Sequence, residues 1–158
     1  MVVECLVRWS RPVAHLQTAL SRNRTTVIFD GDCGICQKTI DLVQRWVDET
    51  EYAFVGYQDV DPAALDQVGL SAEKCQTHMR VVTPTRRVYT GAFAFNYLAF
   101  QHPVGRIVVA AIYLVPIALV AQVAGYEWVA RNRHRISERL GLTACRMSVA
   151  LRPDVRDY

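Results

Sequence analysis

Hydrophobic and polar positions divide the chain into short elements. Thr26-Val27-Ile28-Phe29 is an apolar, β-branched run that predicts a buried strand, closed by the turn residues Asp30-Gly31-Asp32. Beyond it Ile35, Ile40, Val43, Trp46 and Val47 recur at helical spacing, with Lys38, Asp41, Gln44, Arg45 and Asp48 between them. That pattern predicts an amphipathic helix with Asp32 as its N-cap. Residues 52–57 predict a second strand. Asp59-Val60-Asp61-Pro62 reads as a turn, with Pro62 in the first turn of a short helix over 63–68. Ser71-Ala72-Glu73-Lys74 reads as another turn. Residues 79–83 and 87–90 predict two short strands, and Pro84-Thr85-Arg86 links them into an antiparallel hairpin. Residues 92–100 return to a helical pattern.

The order is thus strand, helix, strand, helix, strand, strand, helix. Two strands joined through a helix should lie parallel, with a right-handed crossover. This is an α/β chain with the β-α-β-α-β-β-α order of a thioredoxin-like core, expected over 25–103. Residues 1–24 carry little pattern and read either as an extension or as a short basic amphipathic helix. An additional C-terminal helical segment of the same domain is expected over 104–146, followed by a polar tail over 147–158. Within that segment 107–124 is apolar apart from Gln122, with Pro116 near its middle. Residues 126–140 form an Arg-rich helix pattern stopped by Gly141.

The chain has 158 residues, 51% of them apolar, enough for one domain with a core. A net charge of +3 does not argue for nucleic acid, and no nucleic-acid partner is expected. Arginines gather at both ends: Arg8, Arg11, Arg22 and Arg24, then Arg131, Arg133, Arg135 and Arg139. The five cysteines are Cys5, Cys33, Cys36, Cys75 and Cys145, an odd count that does not read as a disulfide scaffold. No signal peptide is read at the start, where the run 2–7 is broken by Glu4 and followed by Arg8 and Arg11. Reduced thiols and a cytoplasmic location are therefore expected.

The chemistry is concentrated in Cys33-Gly34-Ile35-Cys36. A Cys-x-x-Cys pair at a helix start places the first thiol near unpaired backbone N–H groups and the positive end of the helix dipole. Both favour the reactive thiolate. On this reading Cys33 attacks and Cys36 resolves the mixed disulfide. A site at the carboxyl end of a buried parallel strand opens into a crevice. Gly31 and Gly34 suit a turn better than a packed face, which argues against two inert core cysteines. Asp30 is placed to accept or relay the Cys36 proton and Asp32 to cap the helix, while a carboxylate charge there opposes the dipole. Plain turn chemistry is the other reading of both. The expected function is dithiol/disulfide exchange with a protein or small-molecule thiol partner. It needs no cofactor and has Cys33, Cys36, Asp30 and Asp32 as its site residues.

Phe29-Asp30-Gly31-Asp32-Cys33-Gly34-Ile35-Cys36 resembles the signature of the DCC family of predicted thiol-disulfide oxidoreductases, named for the Asp and two Cys of that motif. The resemblance continues through Val88-Tyr89-Thr90-Gly91-Ala92, Pro116, Tyr126, Ala130-Arg131-Asn132-Arg133 and Gly141, covering about 26–146. It implies a thioredoxin-like fold and oxidoreductase activity. Ordinary thioredoxins carry a Pro just before the third strand, facing the Cys pair. Here that stretch is Gln76-Thr77-His78-Met79, so the substrate groove should differ.

Other readings compete. Cys33 and Cys36 with Cys75 and His78 supply four zinc-type ligands in two pairs, either as a metal site or as a non-catalytic interaction module. Val27-Ile28-Phe29-Asp30-Gly31-Asp32 resembles the start of haloacid dehalogenase-type phosphatases, but these need a downstream Lys and a later acidic pair, and only Lys38 and Lys74 are present. The run 107–124 is at the lower limit for a membrane span and is divided by Pro116. One or two helices packed on the sheet are the preferred reading, with a hydrophobic partner surface or peripheral membrane contact as the alternatives. Arg131, Asn132, Arg133 and Arg135 read as a solvated basic face in preference to an anion or partner site, with Tyr126 and Trp128 anchoring the helix. His78 reads as a polar strand-edge residue, and Cys145 as a small core residue in preference to a third redox thiol.

Overall fold

The structure, a computed structural model, describes Leu20, residues 23–48 and residues 50–142. The expectations for Cys5, Cys145, the tail 147–158 and nearly all of the segment 1–24 lie outside the described residues.

Four strands form one mixed sheet in the order β2-β1-β3-β4: β1 Thr25–Phe29, β2 Tyr52–Gly56, β3 Arg80–Val82 and β4 Val88–Thr90. Strand β1 runs parallel to β2, with Val27 opposite Phe54. It runs antiparallel to β3, with Val27 opposite Val81, and β3 pairs antiparallel with β4. All five residues of β1 are buried, because helices cover both faces of a central strand; hence the continuous apolar run. Alternation sends Val27 and Phe29 to one face, where they meet Ile40 and Val43 of helix α1 (Gly34–Val43) and Ala94 and Leu98 of helix α4 (Ala92–Ala99). Ile28 points to the other face, among Ala64 and Leu65 of helix α2 (Pro62–Asp66) and Cys75 of helix α3 (Ala72–Thr77). Sheet order and helix placement are those of a thioredoxin-like fold.

Helix α3 replaces the turn expected at 71–74. The Ser71 hydroxyl accepts from the Lys74 N–H at 3.3 Å, Glu73 favours the N-terminal end, and Cys75 is buried to anchor the turn of helix against the sheet. The polar letters that read as a turn are those of a helix start.

The C-terminal segment also differs from expectation. Residues 107–124 belong to two helices, α5 (Pro103–Leu114) and α6 (Pro116–Arg139), whose axes are bent by 110°. Val115 before the proline takes an extended conformation, and Pro116 then occupies the first turn of α6, where it has no amide hydrogen to miss. Helix α6 continues unbroken through the expected boundary at residue 125. The two helices are not buried against the sheet: Leu114 is 81% and Ile117 78% exposed, and of the run 107–124 only Val109 is buried. Gln122, the one strongly polar residue of that run, is explained by contact. It exchanges two amide hydrogen bonds with the buried Asn96, fastening α6 to α4.

Helix α6 ends as its sequence predicts. Gly141 adopts a left-handed φ of 62°, and the Leu142 N–H donates to the Ser137 carbonyl at 2.8 Å.

The difference between core and exposed arm sets a stability prediction. Leu98→Ala empties a fully buried site and should cost about 2–4 kcal/mol in urea denaturation, while Leu114→Ala should change stability by less than about 0.5 kcal/mol.

Candidate active site

The site is built at the carboxyl end of β1. Asp30 follows the strand and is buried. Its Oδ1 accepts from the Asp32 N–H at 3.1 Å, and its carbonyl accepts from the Cys33 N–H at 3.3 Å, so one residue folds the chain back into a tight turn. Gln58, in a 3-10 turn after β2, locks that turn from the side. Its Nε2 donates to Asp30 Oδ1 at 2.8 Å and to Asp32 Oδ2 at 3.2 Å, and its Oε1 accepts from the Gly31 N–H at 3.1 Å.

The N-cap of α1 is Cys33, not Asp32. Cys33 has extended backbone angles, and its sulfur accepts from the Cys36 N–H at 3.3 Å. Asp32 is turned outward toward Gln58. Cys33 and Cys36 are joined as a disulfide with Cα atoms 5.2 Å apart, within the usual range. Their exposures differ. Cys33 is 1% exposed, while Cys36 is partly exposed and lines a cavity of about 110 Å³ with Met79, Phe95, Tyr126 and Arg133.

Helix α6 closes the site. Arg133 is 8% exposed, and its Nη2 lies 2.9 Å from Asp30 Oδ2, with Nη1 reaching toward the Thr77 carbonyl at 3.4 Å. One turn on, the buried Ser137 hydroxyl accepts from the Ile35 N–H at 3.1 Å and so satisfies a free donor of the α1 N-terminus. The Leu142 carbonyl then lies over Gly34, where a Cβ would stand 2.2 Å from its oxygen. Only glycine admits this approach. Arg133 therefore does not belong to a solvated basic face. Tyr126 does anchor the helix, since its hydroxyl accepts from the Met79 N–H at 3.2 Å and its ring stacks on His78. Burial pushes its phenol up. Trp128 does not anchor anything; it is 63% exposed.

Where thioredoxins carry proline, Met79 lines the cavity beside Cys36, and its N–H is used by Tyr126. Cys75 and His78 do not join the pair. Cys75 is buried on the opposite face of the sheet, and His78 Nε2 lies 2.8 Å from Glu127 Oε1. Among the described residues no group of three or more His, Cys, Asp or Glu comes together as a metal site. Asp30, the nucleophile of the phosphatase-like reading, has both oxygens engaged.

A family model described as DCC1-like thiol-disulfide oxidoreductase matches residues 27–139, which include both cysteines, Asp30, Gln58, Arg133 and Ser137. The chain belongs to the DCC1-like thiol-disulfide oxidoreductase family. No curated protein and no solved structure matches it. The resemblance read from the Asp-Gly-Asp-Cys-Gly-Ile-Cys motif is thereby borne out. Gln58 and Ser137 are the parts of the site that motif reading missed; Arg133 lies within the resemblance, but its burial against Asp30 was not legible there. In this DCC1-like chain Asp30 of the motif holds the turn, Gln58 and Arg133 together beside the cysteine pair.

The buried pair gives a direct test. Arg133→Met leaves the Asp30 charge buried without its partner and should cost about 3 kcal/mol in urea denaturation, whereas Asp30→Asn combined with Arg133→Met should recover part of that loss.

Cys75 gives a second test. Burial pushes its thiol up, outweighing Arg80 and Lys74, so the folded state favours the neutral thiol. That contribution is fully present below the ordinary thiol value and is lost as pH rises from there through the raised folded-state value. Mass-mapped alkylation at about pH 8 should leave Cys75 unmodified in the folded protein and label it in denaturant.

Proposed function

We propose that this protein catalyses dithiol/disulfide exchange through Cys33 and Cys36, with Cys36 as the sulfur that meets the partner. The carrying observation is the difference in exposure within one disulfide: Cys36 lines the cavity and Cys33 is buried. This reverses the roles expected from position along the helix, where Cys33 attacks.

The chemistry follows from that geometry. A substrate thiolate attacks Cys36 Sγ, the Cys33–Cys36 bond breaks, and the electron pair leaves with Cys33. A hydrogen-bond donor is already in place there, the Cys36 N–H at 3.3 Å, together with the positive end of the α1 dipole. Exchange is fastest when the leaving thiolate is stabilised, and here the stabilised sulfur is the one that leaves. A second substrate thiolate attacks the substrate sulfur of the mixed disulfide and releases Cys36. The substrate is oxidised to a disulfide and the protein is left with two thiols. The reverse sequence reduces a substrate disulfide.

Asp30 acts as a positioning residue. Its two oxygens hold the turn, Gln58 and Arg133, and the guanidinium cancels the carboxylate charge that would otherwise oppose thiolate formation at the pair. Asp32 supports the same turn through Gln58. The cavity accommodates a cysteine side chain or a small thiol, lined by Met79, Phe95 and Tyr126.

Trapping separates the roles. Cys33→Ser should accumulate a stable mixed disulfide at Cys36 when offered a glutathione disulfide or an aromatic disulfide, and Cys36→Ser should accumulate far less at the sealed Cys33. Preferential trapping at Cys33 would overturn the assignment. A redox titration of the full chain with no reversible two-electron step at this pair would overturn the exchange reaction itself.

A further inference from the structure

The elbow between α5 and α6 presents an uncharged surface. From residue 107 to residue 126 the chain has no Asp, Glu, Lys or Arg. On α5 the exposed positions include Val104, Ile107, Val108 and Leu114, and the surface continues through Val115 at the elbow. On α6, helical spacing aligns Ile117, Ala124, Trp128, Arg131 and Arg135 along one exposed stripe. The opposite stripe holds Gln122, Tyr126, Arg133 and Ser137, each bonded to the rest of the protein. The exposed stripe is therefore free of the site, and its chemistry is graded along the axis: aliphatic at the elbow, then tryptophan, then arginine.

The order of that gradient suits an oblique, interfacial approach. At 1.5 Å per residue, Trp128 stands about 17 Å and Arg131 about 21 Å along α6 from Ile117, so a tilted α6 puts the elbow about 5–10 Å below the headgroups that Trp128 and the arginines meet. Neither helix is long and apolar enough to cross a membrane alone; the two pass that test only together, as a pair bent by 110°. Trp belongs at the headgroup boundary, and Arg next to anionic phosphates. A protein partner would use the aliphatic patch without requiring this order along the axis.

We propose that the α5–α6 elbow docks on an anionic lipid bilayer. Leu114, Val115 and Ile117 enter the acyl region, Trp128 lies at the headgroups, and Arg131 and Arg135 meet the lipid phosphates. The surface is independent of the redox reading, which can fail while docking holds.

The test is flotation of the full chain with phosphatidylcholine vesicles, with and without phosphatidylglycerol. Binding to the mixed vesicles is expected, with a blue shift of tryptophan emission that Trp128→Phe removes. Leu114→Glu with Ile117→Glu should weaken binding by at least about tenfold, and Arg131→Glu with Arg135→Glu should do so on the anionic vesicles only. An unchanged urea midpoint shows that the variants remain folded. Quenching of tryptophan emission by brominated lipid in the unmodified chain, lost in Trp128→Phe, gives the same answer by a second readout. Absence of vesicle binding, or binding indifferent to Leu114→Glu with Ile117→Glu, overturns the proposal. So does a concentration-dependent dimer that those substitutions abolish in a protein that ignores vesicles.

Discussion

The ion pair between Asp30 and Arg133 is the contact on which the site depends. It ties the turn after the first strand to the last helix, elements from opposite ends of the described chain. Two charges removed from water repay their desolvation only if every remaining lone pair and donor finds a partner. Here Asp30 is fully used: the Asp32 N–H and Gln58 take one oxygen and Arg133 takes the other. Such a pair adds little net stability over an apolar replacement, but it is costly to break, so it selects one register of α6 over all others. Fixing that register places Tyr126, Ser137 and Leu142 as well.

The consequences reach the sulfur atoms through the N-terminus of α1. Of the donors that a helix start leaves open, the Ile35 N–H goes to Ser137 and the Cys36 N–H to the Cys33 sulfur. The positive end of the helix thus acts on one chosen sulfur, which is buried, and the other sulfur faces the cavity. A Cys-x-x-Cys pair is locally symmetric in composition. Its asymmetry here comes from the turn that makes Cys33 the N-cap and from the cavity, lined in part by α6, that exposes Cys36.

The same helix carries two unrelated faces. One is polar and occupied by the site. The other is aliphatic and open, and it joins α5 at an exposed elbow. Pro116 makes both possible. It breaks a run that would otherwise continue as one long apolar helix, and the bend turns the aliphatic surface outward while leaving α6 free to pack on α1 and α4.

Local pattern was sufficient for the strands, the hairpin, the first and last helices of the core and the Cys-x-x-Cys pair, because each rests on periodicity or on residues adjacent in sequence. The stop at Gly141 was legible for the same reason. Where local signals were ambiguous the reading failed: Ser71 and Glu73 suit a turn and a helix start equally, and only burial of Cys75 decides between them. Asp32 has the composition of an N-cap, yet Cys33 holds that position because Gln58 draws Asp32 away. Arg133 among Arg131 and Arg135 looks like one more solvated charge, and Gln122 like an isolated polar residue in an apolar run. Each finds its partner through space, in Asp30 and Asn96. The sequence by itself determined that two cysteines stand at disulfide spacing at a helix start. Tertiary structure decided which sulfur is exposed, which charge is cancelled and which helix face is left open, because burial and pairing depend on contacts between segments that periodicity does not encode.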